Sequence, residues 1–270
     1  MGNYGTYKDL PILAELYDQT PGYNDRADRD LYLEYCRMTE GKIIELGCGS
    51  GRILVPAARA GSHITGVDIS PYMLARCREK LNQTESEVRT RVRLIEASIT
   101  DFEIDGQFQL AIIPFRPLQH LISPEQQLAC LKNINRHLER SGRLVFDVFQ
   151  VNLEYLYNPR YREETVVNSD LDLGDGRRMK LSHKVSALHR AEQYNDVEII
   201  YDVTDSDGKT ERIIHAFPFR YFFRYEVEHL LARCGFRVIE LYGDFDRSPL
   251  EDDSPEMIFI AEKYELPEES

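Results

Sequence analysis

Glycines at 47, 49 and 51 stand in the run KIIELGCGSGR (Lys42 to Arg52), just after the apolar pair Ile43-Ile44 and the acid Glu45. Helical-looking sequence follows at once, through Ile53, Leu54, Ala57 and Ala58. A strand, a glycine turn and a helix start bring a ligand close to backbone. Glycine takes positive φ and has no Cβ in the way, and a helix start offers free N–H groups and a partial positive charge. Glu45, Gly47, Cys48, Gly49 and Gly51 are therefore candidate ligand-loop residues, Cys48 as a small side chain rather than a nucleophile. A second apolar run, ITGVDI, brings Asp68 roughly 20 residues on, the separation that one β-α-β unit requires. A carboxylate at that strand end accepts both ribose hydroxyls of a bound nucleoside. The bland alternative is a turn cluster and an ordinary surface aspartate.

Other reactive side chains lie downstream. FQLAIIPF reads as a strand covered on both faces, and PFRPLQHL, which overlaps its end, holds Pro114, Phe115, Arg116 and His120. His120 titrates near neutrality when unperturbed and suits proton handling; it equally suits a helix start bonded to a backbone carbonyl. Arg116 pairs either a ligand carboxylate or a surface acid. Asp147 lies near the end of the strand RLVFDVF, where it holds a substrate amine or points outward. Tyr17 and Tyr23 present phenols to a ligand or pack at the surface.

The dinucleotide pattern G-x-G-x-x-G fails here, because Arg52 fills the third glycine's place. The pattern present, acidic-x-G-x-G-x-G, resembles motif I of the class I S-adenosylmethionine-dependent methyltransferases. Ser70-Pro71, opening a helix after Asp68, also resembles that family. The resemblance implies S-adenosylmethionine as cofactor and extends its contacts to Ile69, Met73, Ser98, Ile99 and Pro114. Met73 lies beside the adenine in such proteins, or is core. Ser98-Ile99-Thr100-Asp101-Phe102 resembles the family stretch G-D-M-x-D-F, with Ser98 where an aspartate commonly holds the adenine amine. Serine loses the charge-assisted bond, which hands adenine recognition to the backbone of Ile99. PFRPLQHL resembles the corresponding segment of small-molecule N-methyltransferases of the amino-sugar and glycine type. That implies methyl transfer to an amine nitrogen, with His120 catalytic, Tyr17 and Tyr23 assisting, and Phe115, Arg116 and Asp147 binding the acceptor. An O-methyltransferase on a small phenol or carboxylate, or a non-catalytic S-adenosylmethionine-binding module, are the rival readings.

The elements that position these residues alternate. Helices are expected over 7–20 and 28–38 as an N-terminal cap (1–40), which in the family covers the pocket. A β-α core follows over 41–158 and 224–266, as a Rossmann-like seven-stranded sheet with helices on both faces and its last strand antiparallel. Residues 159–223 change texture, to about four antiparallel strands with Gly-Asp-Gly and Asp-Gly turns. This insertion is expected to roof the acceptor or make a homodimer contact, with the aromatic stretch from Phe217 lining it or simply packing.

Composition narrows the partners. The chain has 270 residues, 42% hydrophobic, enough for one sizeable core. A net charge of −13 disfavours nucleic acid, whose phosphates dominate its binding. No apolar run reaches membrane-spanning length. Cysteines 36, 48, 77, 130 and 234 are scattered, which fits free thiols in a cytoplasmic protein. The histidines show no metal-ligand spacing. Gly2 is a weak myristoylation match, and the ELPEES end reads as frayed.

Overall fold

The computed structural model describes residues 3–264, so the expectations about Gly2 and the ELPEES end fall outside the described residues. The main sheet has seven strands, in the spatial order β11 (Phe236–Tyr242), β12 (Glu256–Lys263), β6 (Leu138–Phe149), β5 (Phe108–Ile113), β2 (Ile43–Leu46), β3 (Ile64–Asp68), β4 (Val92–Glu96). β12 runs antiparallel to both of its neighbours, and the other pairings are parallel.

Alternation along these strands feeds two cores. Met257, Phe259 and Ala261 of β12 face one cluster, and Ile258 and Ile260 the other. The first is closed by α6 (Pro124–His137) and α8 (Arg224–Arg233), the second by α2 (Asp28–Met38), α3 (Leu54–Arg59) and α4 (Pro71–Asn82). Local chemistry starts these helices where sequence indicates. Ser70 accepts the Met73 amide, and Ser123 and Gln126 form a reciprocal capping box, each ahead of a first-turn proline. The strand order turns back between β2 and β5, which opens a crevice at their carboxyl ends.

A second sheet is wholly different in origin. β7 (Thr165–Asp172), β8 (Arg178–His189), β9 (Tyr194–Thr204) and β10 (Thr210–Arg220) form an antiparallel meander. A fifth strand joins it from the N-terminus: β1 (Asn3–Gly5) pairs parallel with β10. The N-terminal segment is thus stitched to the inserted sheet. Under that sheet lies α1 (Pro11–Gln19), whose Leu13 and Leu16 pack on Met179, Leu181, Tyr201 and Ile213.

Several boundaries differ from the sequence reading. The first helix starts at Pro11, not near residue 7, because Thr6 and Asp9 close a turn just before it. β6 begins at Leu138, ahead of the expected RLVFDVF, because the preceding helix stops at His137 and Leu138 is already extended and paired with Phe108. Two five-residue helices, α5 (Ser86–Thr90) and α7 (Leu153–Tyr157), have no counterpart in the sequence reading, being too short to show a period.

Candidate active site

The glycine loop leaves β2 and crosses the end of β3. Gly47 and Cys48 donate to the carbonyl of Val67, and Gly49 donates to Asp68 Oδ2 at 2.8 Å. The three glycines have φ of 72°, 53° and 84°. At Gly47 a Cβ would also stand 2.6 Å from Pro117, so the loop after β5 seals directly against bare backbone. Ser70 donates its amide to Asp68 Oδ1, also at 2.8 Å. Two amides therefore fix the Asp68 carboxylate, which still has free lone pairs and a partly exposed side. Burial nonetheless raises its pKa. Beside it Ile69 is 49% exposed, and Ile99 is half-buried across the strand ends. A bare loop, an oriented carboxylate and flanking aliphatic side chains fit a nucleoside with an amino-acid tail.

Two other loop candidates face inward. Glu45 is 2% exposed, lies beneath the loop against the Leu54 amide, and burial pushes its pKa up to about 8. Cys48 is buried against Gly66. Both support the loop from below rather than line its open side. Met73 reaches under Gly49, its terminal methyl 3.1 Å from where a Cβ would be. The Ser98 hydroxyl is engaged with Thr100, in an internal turn.

Beyond the loop lies a ring of aromatic groups. Phe115 meets Tyr23 with ring centroids 5.1 Å apart, and Tyr23 meets Tyr17 at 4.9 Å. Tyr17 meets Tyr7 at 5.5 Å, and Tyr7 meets His215 at 4.1 Å. His215 meets Phe217 at 4.5 Å, and Phe217 meets His120 at 5.0 Å. The short 3₁₀ turn at 117–120 joins the two ends of this series, His120 and Phe115, through the backbone. Thus α1 and the turn after it, the strand end after β5 and the inserted sheet each contribute one arc. His120 is exposed to solvent, yet the protein atoms crowding one side of it lower its pKa, to about 4. It is a neutral imidazole at physiological pH.

The strand end that supports the ring is under tension. Phe115 and Arg116 are consecutive non-glycine residues at positive φ, 64° and 71°. Such backbone costs free energy and persists only when its surroundings over-determine it. Here Asp147 accepts the Phe115 amide at 2.9 Å, together with the Tyr32 hydroxyl at 2.6 Å and Arg26 at 3.1 Å. Arg26 and Arg52 stack their guanidiniums on Phe115 at 4.9 and 5.3 Å, and both bind the buried Asp28. Glu256 takes Arg26 and Arg116.

This network corrects two expectations. Asp147 is 0% exposed and spends its oxygens on protein donors, so it holds the chamber floor and does not reach an acceptor. Arg116 is paired to Glu256 and lies near Phe149 at the rim. Tyr17, Tyr23 and Phe115 are brought into mutual ring contact, and His120 stands at the other end of the series, against Phe217 and Phe219. Pro114 is buried just before the strained turn. Tyr7 and His215 were missed by the sequence reading; for His215 the alternation Ile213-His215-Phe217-Phe219 on one face of β10 was the available signal.

A seven-stranded sheet of this order, with a glycine loop and an acid on adjoining strand ends, defines a class I S-adenosylmethionine-dependent methyltransferase core. Residues 43–142 match the family described as a methyltransferase domain, and the protein is an S-adenosylmethionine-dependent methyltransferase. The chain is 25% identical over 251 residues to "Putative methyltransferase YqeM" of Bacillus subtilis (strain 168), covering 93% of this chain and 95% of that one. Its fold is similar to that of the CcbJ methyltransferase from Streptomyces caelestis, with a TM-score of 0.74, 20% identity and coverage of 96% and 98%. The sugar N-methyltransferase KedS8 from Streptoalloteichus sp. aligns with a TM-score of 0.72 and 17% identity, over 93% of this chain and 92% of that one.

Proposed function

We propose that the protein methylates a nitrogen of a small amine held inside the aromatic ring. The observation that supports this reading is the series of phenols, phenyls and a neutral imidazole beyond the glycine loop, with the nearby guanidiniums of Arg26, Arg52 and Arg116 already ion-paired. When bound, S-adenosylmethionine supplies a methyl that is already electrophilic, so the protein's task is orientation. Asp68 and the loop at 47–51 grip the nucleoside and its tail; Ile69, Met73 and Ile99 flank the base. Phe115, Tyr17 and Tyr23 confine the acceptor. His120 accepts an N–H of the neutral amine and aims the nitrogen lone pair. With a pKa near 4 it is too weak a base to strip an ammonium, so the amine sheds its first proton to water. Transfer to the neutral amine gives an alkylammonium, which leaves the site charged and gives up its proton, if at all, to solvent.

The same reasoning disfavours oxygen. An alcohol needs a base far stronger than this imidazole, and a carboxylate needs a cation that is not already paired. The sugar N-methyltransferase KedS8, similar in fold, acts on nitrogen, which supports the nitrogen reading. Mass spectrometry of products from matched panels of small amines, phenols and carboxylic acids tests it. Methyl on nitrogen is the expected result; methyl found only on oxygen sinks the reading.

A further inference from the structure

A second concavity lies outside the aromatic series. A cleft of about 650 Å³ opens at the seam where α7, the β8–β9 turn and the chain leaving β10 meet, and Leu153, Leu156, Tyr157, Arg190, Tyr221 and Phe223 line it. That size, and a position between an inserted sheet and the core, are usual for a small-molecule site. Leu156 and Tyr221 are buried, while Leu153, Tyr157 and Phe223 leave large apolar surfaces exposed. Exposed apolar side chains gathered round one hollow mark a binding site, whereas scattered ones need no explanation. The turn that borders the cleft is pinned in place. The Glu192 carbonyl accepts Arg220 at 2.8 Å, the Gln193 carbonyl accepts the Tyr221 amide at 3.0 Å, and the Gln193 side chain donates to Glu226 at 3.0 Å.

Two polar groups of this lining are unused. Arg190 holds its guanidinium 5.6 Å from the Tyr157 ring centroid and makes no ion pair or hydrogen bond among the described residues. Arg220, close by in the chain leaving β10, is by contrast engaged with Glu226 and two carbonyls. Tyr221 is 6% exposed, and its hydroxyl has no hydrogen-bond partner among the described residues. Burial and the neighbouring Tyr157 raise its pKa against the pull of Arg190, so the phenol keeps its proton and donates. We infer that this cleft binds an aromatic carboxylate, its ring among Leu156, Tyr157, Tyr221 and Phe223 and its carboxylate on the Arg190 guanidinium and the Tyr221 hydroxyl. The lining selects that class. One uncompensated cation matches one negative charge, and a guanidinium meets a carboxylate through two parallel N–H bonds. A neutral ligand leaves Arg190 unmatched, and the second charge of a phosphate ester finds no further cation in the lining. Rings in the wall favour an aromatic body, stacked with an offset or edge-on, over an aliphatic chain. A protonated amine is repelled by Arg190, so the cleft is not a second place for the methyl acceptor. The inference is independent of which atom is methylated beside His120.

The test uses the full chain loaded with S-adenosylhomocysteine. Saturation-transfer NMR titrations compare 2-naphthoate with its neutral counterpart, 2-naphthalenemethanol. Wild type is expected to bind naphthoate saturably, and about tenfold or more tighter than the alcohol. Arg190→Gln is expected to bring that ratio close to one. Tyr221→Phe is expected to lower it, and Phe223→Ala to weaken both probes alike. Arg190 is exposed, so its replacement spares the core. S-adenosylhomocysteine affinity measured by calorimetry, expected to be unchanged, reports whether each variant is folded. A wild type that does not bind naphthoate, or binds it no better than the alcohol, overturns the site. So does a full preference kept in both folded variants, Arg190→Gln and Tyr221→Phe. Binding lost in Phe115→Ala but kept in Arg190→Gln also overturns it, since the anion then sits in the aromatic series. Sedimentation decides the remaining rival: naphthoate released as the chain self-associates overturns the small-molecule site and makes the cleft an interface between copies.

Discussion

The carboxylate of Asp147 accepts the backbone amide of Phe115 at 2.9 Å, so a fully buried acid holds the residue on which the acceptor is proposed to rest. The same carboxylate binds Tyr32 and Arg26. Asp147→Ala leaves a buried guanidinium and a positive-φ turn without their anchor. Removing one partner of a buried pair costs about 3–5 kcal/mol. The variant is expected to melt well below wild type in thermal unfolding, and an unchanged melting point would remove Asp147 from the scaffold. Asp147→Asn keeps an acceptor for the Phe115 amide and is expected to lose less.

Asp68 carries the nucleoside end. Hydrogen bonds to a charged group are worth about 1.5–3 kcal/mol, so Asp68→Ala is expected to weaken S-adenosylhomocysteine roughly ten- to a hundredfold. Isothermal calorimetry measures this directly. Equal heats and affinities in variant and wild type would contradict the assignment.

Gly47 has two reasons to be glycine. Its φ is 72°, and a Cβ would meet Pro117 at 2.6 Å. Gly47→Ala is expected to force the loop and the turn after β5 apart, and so to weaken cofactor and acceptor together. Kinetics with each varied in turn would register a rise in both KM values; a rise in neither refutes the contact.

His120 sets an expectation for pH. Its pKa is lowered to about 4, so it is neutral throughout the usual assay range. Turnover is therefore expected to rise with pH following the acceptor's own ammonium, without an inflection near 6.5. His120→Ala is expected to lower kcat while S-adenosylhomocysteine binding holds. A limb at 6.5 that vanishes in His120→Ala would show instead that this imidazole titrates in turnover.

Stability is linked to the same pair of rings. His120 and His215 have folded pKa values lowered to about 4 and about 3, below the ordinary value of about 6.5. Between those limits the unfolded chain binds protons that the folded chain refuses, so stability falls as pH drops through about 6.5 and stops falling only below the folded values. Melting points taken from pH 7 down to pH 4.5 should decline, and His215→Gln should flatten the decline. The same slope in that variant would exclude His215 as its source.

Local pattern revealed the cofactor half and hid most of the acceptor half. Gly47, Gly49, Gly51 and Asp68 share one β-α-β unit, so their spacing alone assembles them. The long helices and the buried strands announce themselves by period and by caps such as Ser70 and Ser123. The acceptor ring draws Tyr7, Phe115, His120 and His215 from stretches more than two hundred residues apart at the extremes, where no spacing rule applies. Asp147 illustrates the cost: an acid at a strand end reads as a ligand group, and only the arrival of Tyr32 and Arg26 from α2 and the turn before it turns it into scaffold. β1 escapes notice because three residues cannot show alternation, and its partner lies in the inserted sheet.

Tyr17 joins the aromatic ring, while its neighbour Asp18 bonds Ser50 of the glycine loop at 2.5 Å and Lys80 at 2.7 Å. One peptide unit thus touches both ligand compartments. Filling either compartment is expected to bear on the backbone that borders the other, and such coupling in binding is necessarily mutual. The two reactants are expected to sense each other across a single covalent step, with no relay through the domain.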